Sequence, residues 1–240
     1  MNETSALSQS VTDRYPKAAG PVHTIFVLAA LGGCTFWGKI LADQLSAAVN
    51  PNRVRFYALT LCFEWILFFV VLAGVRRSGE PVLIVLGDRW RSVRQVLRDI
   101  GIAAAFWTVS IVLLFILGQL LRIAALGRNM EFILPHGDAE ITLWIALSVS
   151  AGICEETIFR GYLQRQFMAL TQSVPAGILL SGVAFGAAHA YQGLRRALLI
   201  GLYGVMFGIL AHWRRSVRPG MIAHAWQDSL SGMLAGVMRR

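Results

Sequence analysis

Apolar runs of about the length needed to cross a bilayer recur along this chain, and they constrain its fold more than any other feature. They cover residues 22–49, 54–75, 100–121, 141–168, 175–190, 197–213 and 219–237. Charge is scarce: 15% of the 240 residues are charged and 56% are hydrophobic, whereas a soluble domain carries about 25% charged residues. That balance excludes a soluble enzyme, and its hydrophobicity excludes an intrinsically disordered chain. No alternating ten-residue strands occur, so the spans are helices. The expected fold is all-α, a polytopic transmembrane helix bundle of about seven spans.

Residues 1–21 are polar and lack the tripartite pattern of a signal peptide, so an uncleaved, partly disordered tail is expected. Residues 22–126 hold the first three spans. Within them, 76–98 reads as a basic amphipathic surface helix, with Trp90, Val93, Val96 and Leu97 set among arginines. Residues 141–240 hold the remaining four spans. Pro175 suits a first helical turn. Gly182/Gly186 and Gly204/Gly208, each four apart, suit close helix packing. Trp37, Trp90, Trp144 and Trp213 read as interface anchors.

Twenty of the 22 basic residues are Arg, and the net charge is +9. The arginines sit in short clusters between apolar runs, as topology-setting loops do, so nucleic acid is not the expected partner. The segment between spans two and three holds Arg76, Arg77, Arg89, Arg91, Arg94 and Arg98. Placing it in the cytoplasm puts Arg165, Arg214, Arg215, Arg218 and the N-terminus there too. The Arg-rich, Ala-rich composition suggests a bacterial protein, and hence an inner (plasma) membrane. Cys34, Cys62 and Cys154 lie in apolar runs without CxxC spacing and read as small buried hydrophobes.

Ionisable residues inside spans are costly and each needs a reason. Glu156 and Arg160 are four apart with the Glu first, the favourable order for a helical ion pair. Glu155 is rotated by about 100° and can face a different neighbour, leaving one carboxylate neutralised and one free. His189 closes Phe185-Gly-Ala-Ala-His189. His224 and Asp228 again share a helix face, where the pair could bind metal, orient an imidazole or simply pair. Lys39 and Glu64 could pair between spans one and two, or Glu64 could face the active cavity. Carboxylates and imidazoles on three helices form a water-activating set, and no Ser or Cys nucleophile has a paired base. At 1.5 Å per residue Glu155 and His224 reach similar depths, while His189 comes out too far outward on the expected boundaries.

The three motifs Glu155-Glu156-x-x-x-Arg160, Phe185-x-x-x-His189 and His224-x-x-x-Asp228, in that order and each on an apolar helix, resemble those of the CPBP (CAAX protease and bacteriocin-processing, or Abi) intramembrane proteases. The resemblance covers about residues 141–232, and makes 141–240 a four-helix catalytic core. It implies an intramembrane endopeptidase that cleaves a membrane-anchored or membrane-adjacent protein or peptide. Glu155 would activate water, His189 would assist, and His224 with Asp228 would hold the carbonyl and its oxyanion. Glu156 and Arg160 would support the motif helix. Many relatives carry Asn where this chain has Asp228, and an ionised Asp cannot donate to an oxyanion. The resemblance favours a metal-free mechanism with no cofactor. The alternatives are a zinc protease using Glu155, His189 and His224 as ligands to Zn2+, or a non-catalytic immunity or scaffold protein of the same fold.

Overall fold

The computed structural model describes residues 15–120 and 132–237, and helices are the only regular structure among those residues. Most of the N-terminal tail, and the arginines at 122, 128, 239 and 240, lie outside the described residues. Helix α1 spans Pro21–Ala47 and α2 Arg53–Arg77, with the Asn52 side chain capping α2 by accepting from the Arg55 amide. A short α3, Leu83–Leu86, precedes α4, Val93–Leu120. Helix α5, Gly137–Glu155, runs into a π-helical segment, Glu156–Leu163, and continues as α6, Gln164–Thr171. Helix α7 is Val174–Ala188, with Pro175 in its first turn as expected and Ser173 as its cap. A single 3-10 turn leads to α8, Leu194–Arg214, and α9, Arg218–Val237, follows.

Five helices are long and apolar enough to cross a membrane: α1, α2, α4, the continuous α5–α6 rod and α8. This is a multi-pass membrane protein. The other two expected spans correspond to α7, which has only 15 residues, and to α9. The segment 76–98 is not one surface helix. It breaks into α3 and a loop, and Val93, Val96 and Leu97 form the first turns of the long α4.

Helix α7 packs along α8, and α5 lies between α9 and α2. The glycines mark where backbones touch. A Cβ on Gly152 of α5 would stand 2.6 Å from the Met221 carbonyl of α9, so only glycine lets these two helices meet. Gly182 and Gly186 face Gly201 across the α7–α8 seam. The main core, with Val71, Cys154, Ile158, Phe159, Tyr162 and Phe185, surrounds the π segment. A second core joins Tyr203 and Phe207 of α8 to Ala103 of α4 and Ala223 of α9.

The last residues before α1 are tied down. Gln166 accepts from the Ala18 and Ala19 amides and donates to the Ala19 carbonyl. His23 contacts the Tyr162 hydroxyl and the Val70 carbonyl, a packing role for a histidine to which the sequence assigned none. Trp144 is not an interface anchor. It packs edge-on against Tyr57 and donates its indole N–H to the Asp228 carbonyl. Lys39 does not reach Glu64. It pairs with Asp43 one turn along on the exposed face of α1.

Candidate active site

All seven named residues of the three motifs meet in one centre. The π segment begins at Glu156, immediately after Glu155. Such widened turns are rare and occur often at functional sites. Here the change of pitch coincides with the separation of two adjacent carboxylates. Glu156 is fully buried and accepts from Arg160 at 2.8 Å and from His224 Nδ1 at 3.0 Å. Because an ionised carboxylate only accepts, Nδ1 carries the proton in that contact.

Arg160 is also fully buried, and its charge is spread over aromatic faces. Its guanidinium lies 4.2 Å from the Phe185 ring centre and 4.9 Å from that of Phe207. This cation–π packing accounts for a guanidinium whose Nε and one terminal nitrogen find no hydrogen-bond acceptor. Phe207 also stacks on His224, so the same rings that hold the arginine fix the imidazole.

Glu155 is placed differently. One of its oxygens lies 4.0 Å from His189 Nε2 and the other 3.7 Å from His224 Nε2. The latter oxygen is buried and has no hydrogen-bond partner. A carboxylate oxygen buried without a donor loses its hydration for nothing unless a water or substrate group meets it. His189 lies just past the end of α7. Its Nδ1 donates to the Phe185 carbonyl at 2.9 Å, which fixes the ring and leaves Nε2 toward Glu155. The end of α7 thus brings His189 within 4.0 Å of Glu155, so the two side chains share one level of the bundle. Asp228 stands 3.5 Å from His224 Nε2 and keeps 38% of its side chain exposed, at the open edge of the centre.

Glu64 of α2 is the further member. Its carboxylate interacts electrostatically with Glu155, Asp228 and His224, and one oxygen is buried without a partner. Of the two uses open to it from the sequence, the structure gives it the cavity. Its signal in the sequence was a lone acid in an apolar helix, with nothing to say which helix it would face. Tyr191, Tyr203 and Phe185 complete the surroundings, and no motif marked the two tyrosines.

The three side chains considered as zinc ligands, Glu155, His189 and His224, lie close together but not at ligand spacing. Zinc with bonds near 2.0–2.1 Å places its ligand atoms about 3.4 Å apart, and Glu155 stands further than that from both imidazoles. Among the described residues no group of three or more His, Cys, Asp or Glu side chains converges as a metal cluster.

A multi-pass helical bundle with paired carboxylates and imidazoles buried among its helices defines a class, the membrane-embedded hydrolases. Residues 137–230 match the family model described as Type II CAAX prenyl endopeptidase Rce1-like. Over those residues, from the start of α5 into α9, the chain is similar to the CAAX-type intramembrane proteases that its motifs resemble. No curated protein and no solved structure matches the chain.

Proposed function

We propose that this protein hydrolyses a peptide bond in a membrane-anchored or membrane-adjacent protein or peptide, with Glu155 as the general base that activates water. The observation that carries this reading is the pair of unlike carboxylates. Both keep a buried oxygen without a donor, but Glu156 Oε1 is occupied by Arg160 and His224, while the Glu155 carboxylate makes no hydrogen bond among the described residues and lies between two imidazoles.

The chemistry then follows from the contacts. A water held by Glu155 and His189 Nε2 gives its proton to Glu155 as its oxygen attacks the scissile carbonyl. Negative charge moves to the carbonyl oxygen. His224, held through Nδ1 by Glu156 and bearing a proton on Nε2, donates to that oxyanion. Asp228 orients His224 from the open side, a role that suits a carboxylate where an amide would donate directly. The tetrahedral intermediate collapses as Glu155 passes its proton to the departing amine.

In this reading no metal takes part, and the substrate class is a protein or peptide held at the membrane. The bacterial composition favours peptide leaders, pheromones or sorting tails over prenylated tails. The meeting of the 87–98 loop with Arg214, Arg215 and Arg218 supports placing these arginines on one side of the membrane, which we assign to the cytoplasm of a bacterial inner membrane, together with the N-terminus.

The test is cleavage of a native substrate by the protein in proteoliposomes. Glu155→Gln should lower the rate by about 10²–10⁴-fold, and His189→Ala should also lower it. Full activity in both variants would overturn the mechanism. Lasting inhibition by a chelator, reversed by Zn2+, would instead establish the zinc reading. Absence of cleavage of any neighbouring-gene product would favour a non-catalytic immunity or scaffold protein.

A further inference from the structure

At the other end of α4 and α8 from their midpoints, where both helices leave the apolar region, six arginines line one cavity. Arg89, Arg91, Arg98, Arg214, Arg215 and Arg218 surround a space of about 360 Å³ together with Ser216 and Gln95. That volume lies within the range of small-ligand sites, about 300–1,000 Å³. Two carboxylates answer these six cations. Asp88 is exposed and reaches only Arg91. Asp99 is fully buried beneath the cavity, where it contacts Arg98, Arg214 and Arg218 and accepts from the Trp90 indole.

The pocket is built, not incidental. Gly87, at φ +89°, turns the chain so that its carbonyl accepts from Ser216, and a Cβ there would strike the Ser216 hydroxyl at 2.7 Å. Arg218 reaches across to the Asp88 carbonyl and stacks its guanidinium on Trp90. The excess of positive charge is left without an answer inside the protein. The Arg89 and Arg215 side chains make no hydrogen bond or ion pair among the described residues, and Arg214 holds a buried Nε with no acceptor.

We infer that this cavity binds the phosphate-bearing headgroup of an anionic glycerophospholipid. A phosphodiester would accept from the arginines that have no acid, as basic pockets between spans at a membrane surface do. Its setting selects a lipid over a soluble phosphate. Trp90 and Trp213 flank the cavity with about half or more of their surfaces exposed, where indoles mark the headgroup level. Val93 and Leu97, on the first turns of α4 beside it, are exposed apolar residues along which acyl chains can lie.

The test uses the full-length protein in neutral detergent, titrated with palmitoyl-oleoyl phosphatidylglycerol, with phosphatidylcholine of the same chains, and with inorganic phosphate. Saturable binding of phosphatidylglycerol is expected, with little binding of phosphatidylcholine. Arg89→Gln combined with Arg215→Gln removes two cations that support no internal contact, so folding should persist. At about 1 kcal/mol per arginine near the surface, the double variant should bind about 30-fold more weakly. Arg94→Gln, which removes an exposed charge outside the cavity, should bind as the wild type does. Equal binding of the two lipids, equal binding by the double variant, or displacement of the lipid by inorganic phosphate at matched concentration would each overturn the inference.

Discussion

His224 Nδ1 stands 3.0 Å from Glu156 Oε1, so the ring contributed by the third motif is held by a carboxylate of the first. The contact joins α9 to the start of the π segment across 68 residues of sequence. It also gives the two adjacent glutamates different work, since the one that holds the histidine is already paired with Arg160.

Glu155→Gln and Glu156→Gln should therefore fail in different ways. The first alters a carboxylate that makes no hydrogen bond among the described residues and should leave thermal unfolding nearly unchanged while cleavage is lost. The second leaves Arg160 buried without its carboxylate and should lower the unfolding temperature as well as activity. Equal unfolding temperatures for the two variants would refute this division.

Arg160→Met should cost about 3–5 kcal/mol, the range for breaking a buried ion pair by removing one partner. Two aromatic faces and Glu156 lose their cation together. Arg160→Lys should recover only part of the loss, because an ammonium cannot lie flat against both rings. Denaturation of the detergent-solubilised protein would show the order wild type, Lys, Met.

Glu64→Gln should slow cleavage by up to about tenfold without loss of folding, since it removes a carboxyl group beside Glu155 and leaves the shape intact. Lys39→Ala provides the contrast. Its exposed pair with Asp43 contributes within about 1 kcal/mol, and no change in cleavage is expected. A Lys39 variant as slow as the Glu64 variant would mean that the two act together after all.

Gly152→Val should separate α5 from α9, because even a first carbon at this position meets the Met221 carbonyl. His224 then moves away from Glu156, and cleavage should fall to background. Gly20→Ala, at a position where an added Cβ meets nothing within 4 Å, should behave as wild type.

The motifs were legible because they are local. Glu156 with Arg160 and His224 with Asp228 are four apart, and helical pitch alone brings each pair together. The π segment was not legible, since no propensity distinguishes a widened turn from an ordinary one, and its stability comes from the residues packed around it. Glu64 could be recognised as unusual, but its direction depends on how α2 lies against α5. The length of α7 was legible to within two residues, 175–190 against Val174–Ala188, because Pro175 opens it. The arginines of 76–98 and 214–218 read as a topology signal, and only the meeting of α4 with α8 and α9 gathers some of them around Asp99.

The length of α7 bears on how water reaches a reaction enclosed by lipid. Fifteen residues rise about 22 Å, against a hydrocarbon layer roughly 30 Å thick. Leu179 and Val183 face outward from it, and local thinning of the bilayer is one way such a mismatch is accommodated. A thinned annulus lowers the barrier for both the hydrolytic water and the polar backbone of an unwinding substrate. The rate of cleavage should then depend on the acyl-chain length of the host lipid, falling as longer chains raise the cost of that deformation.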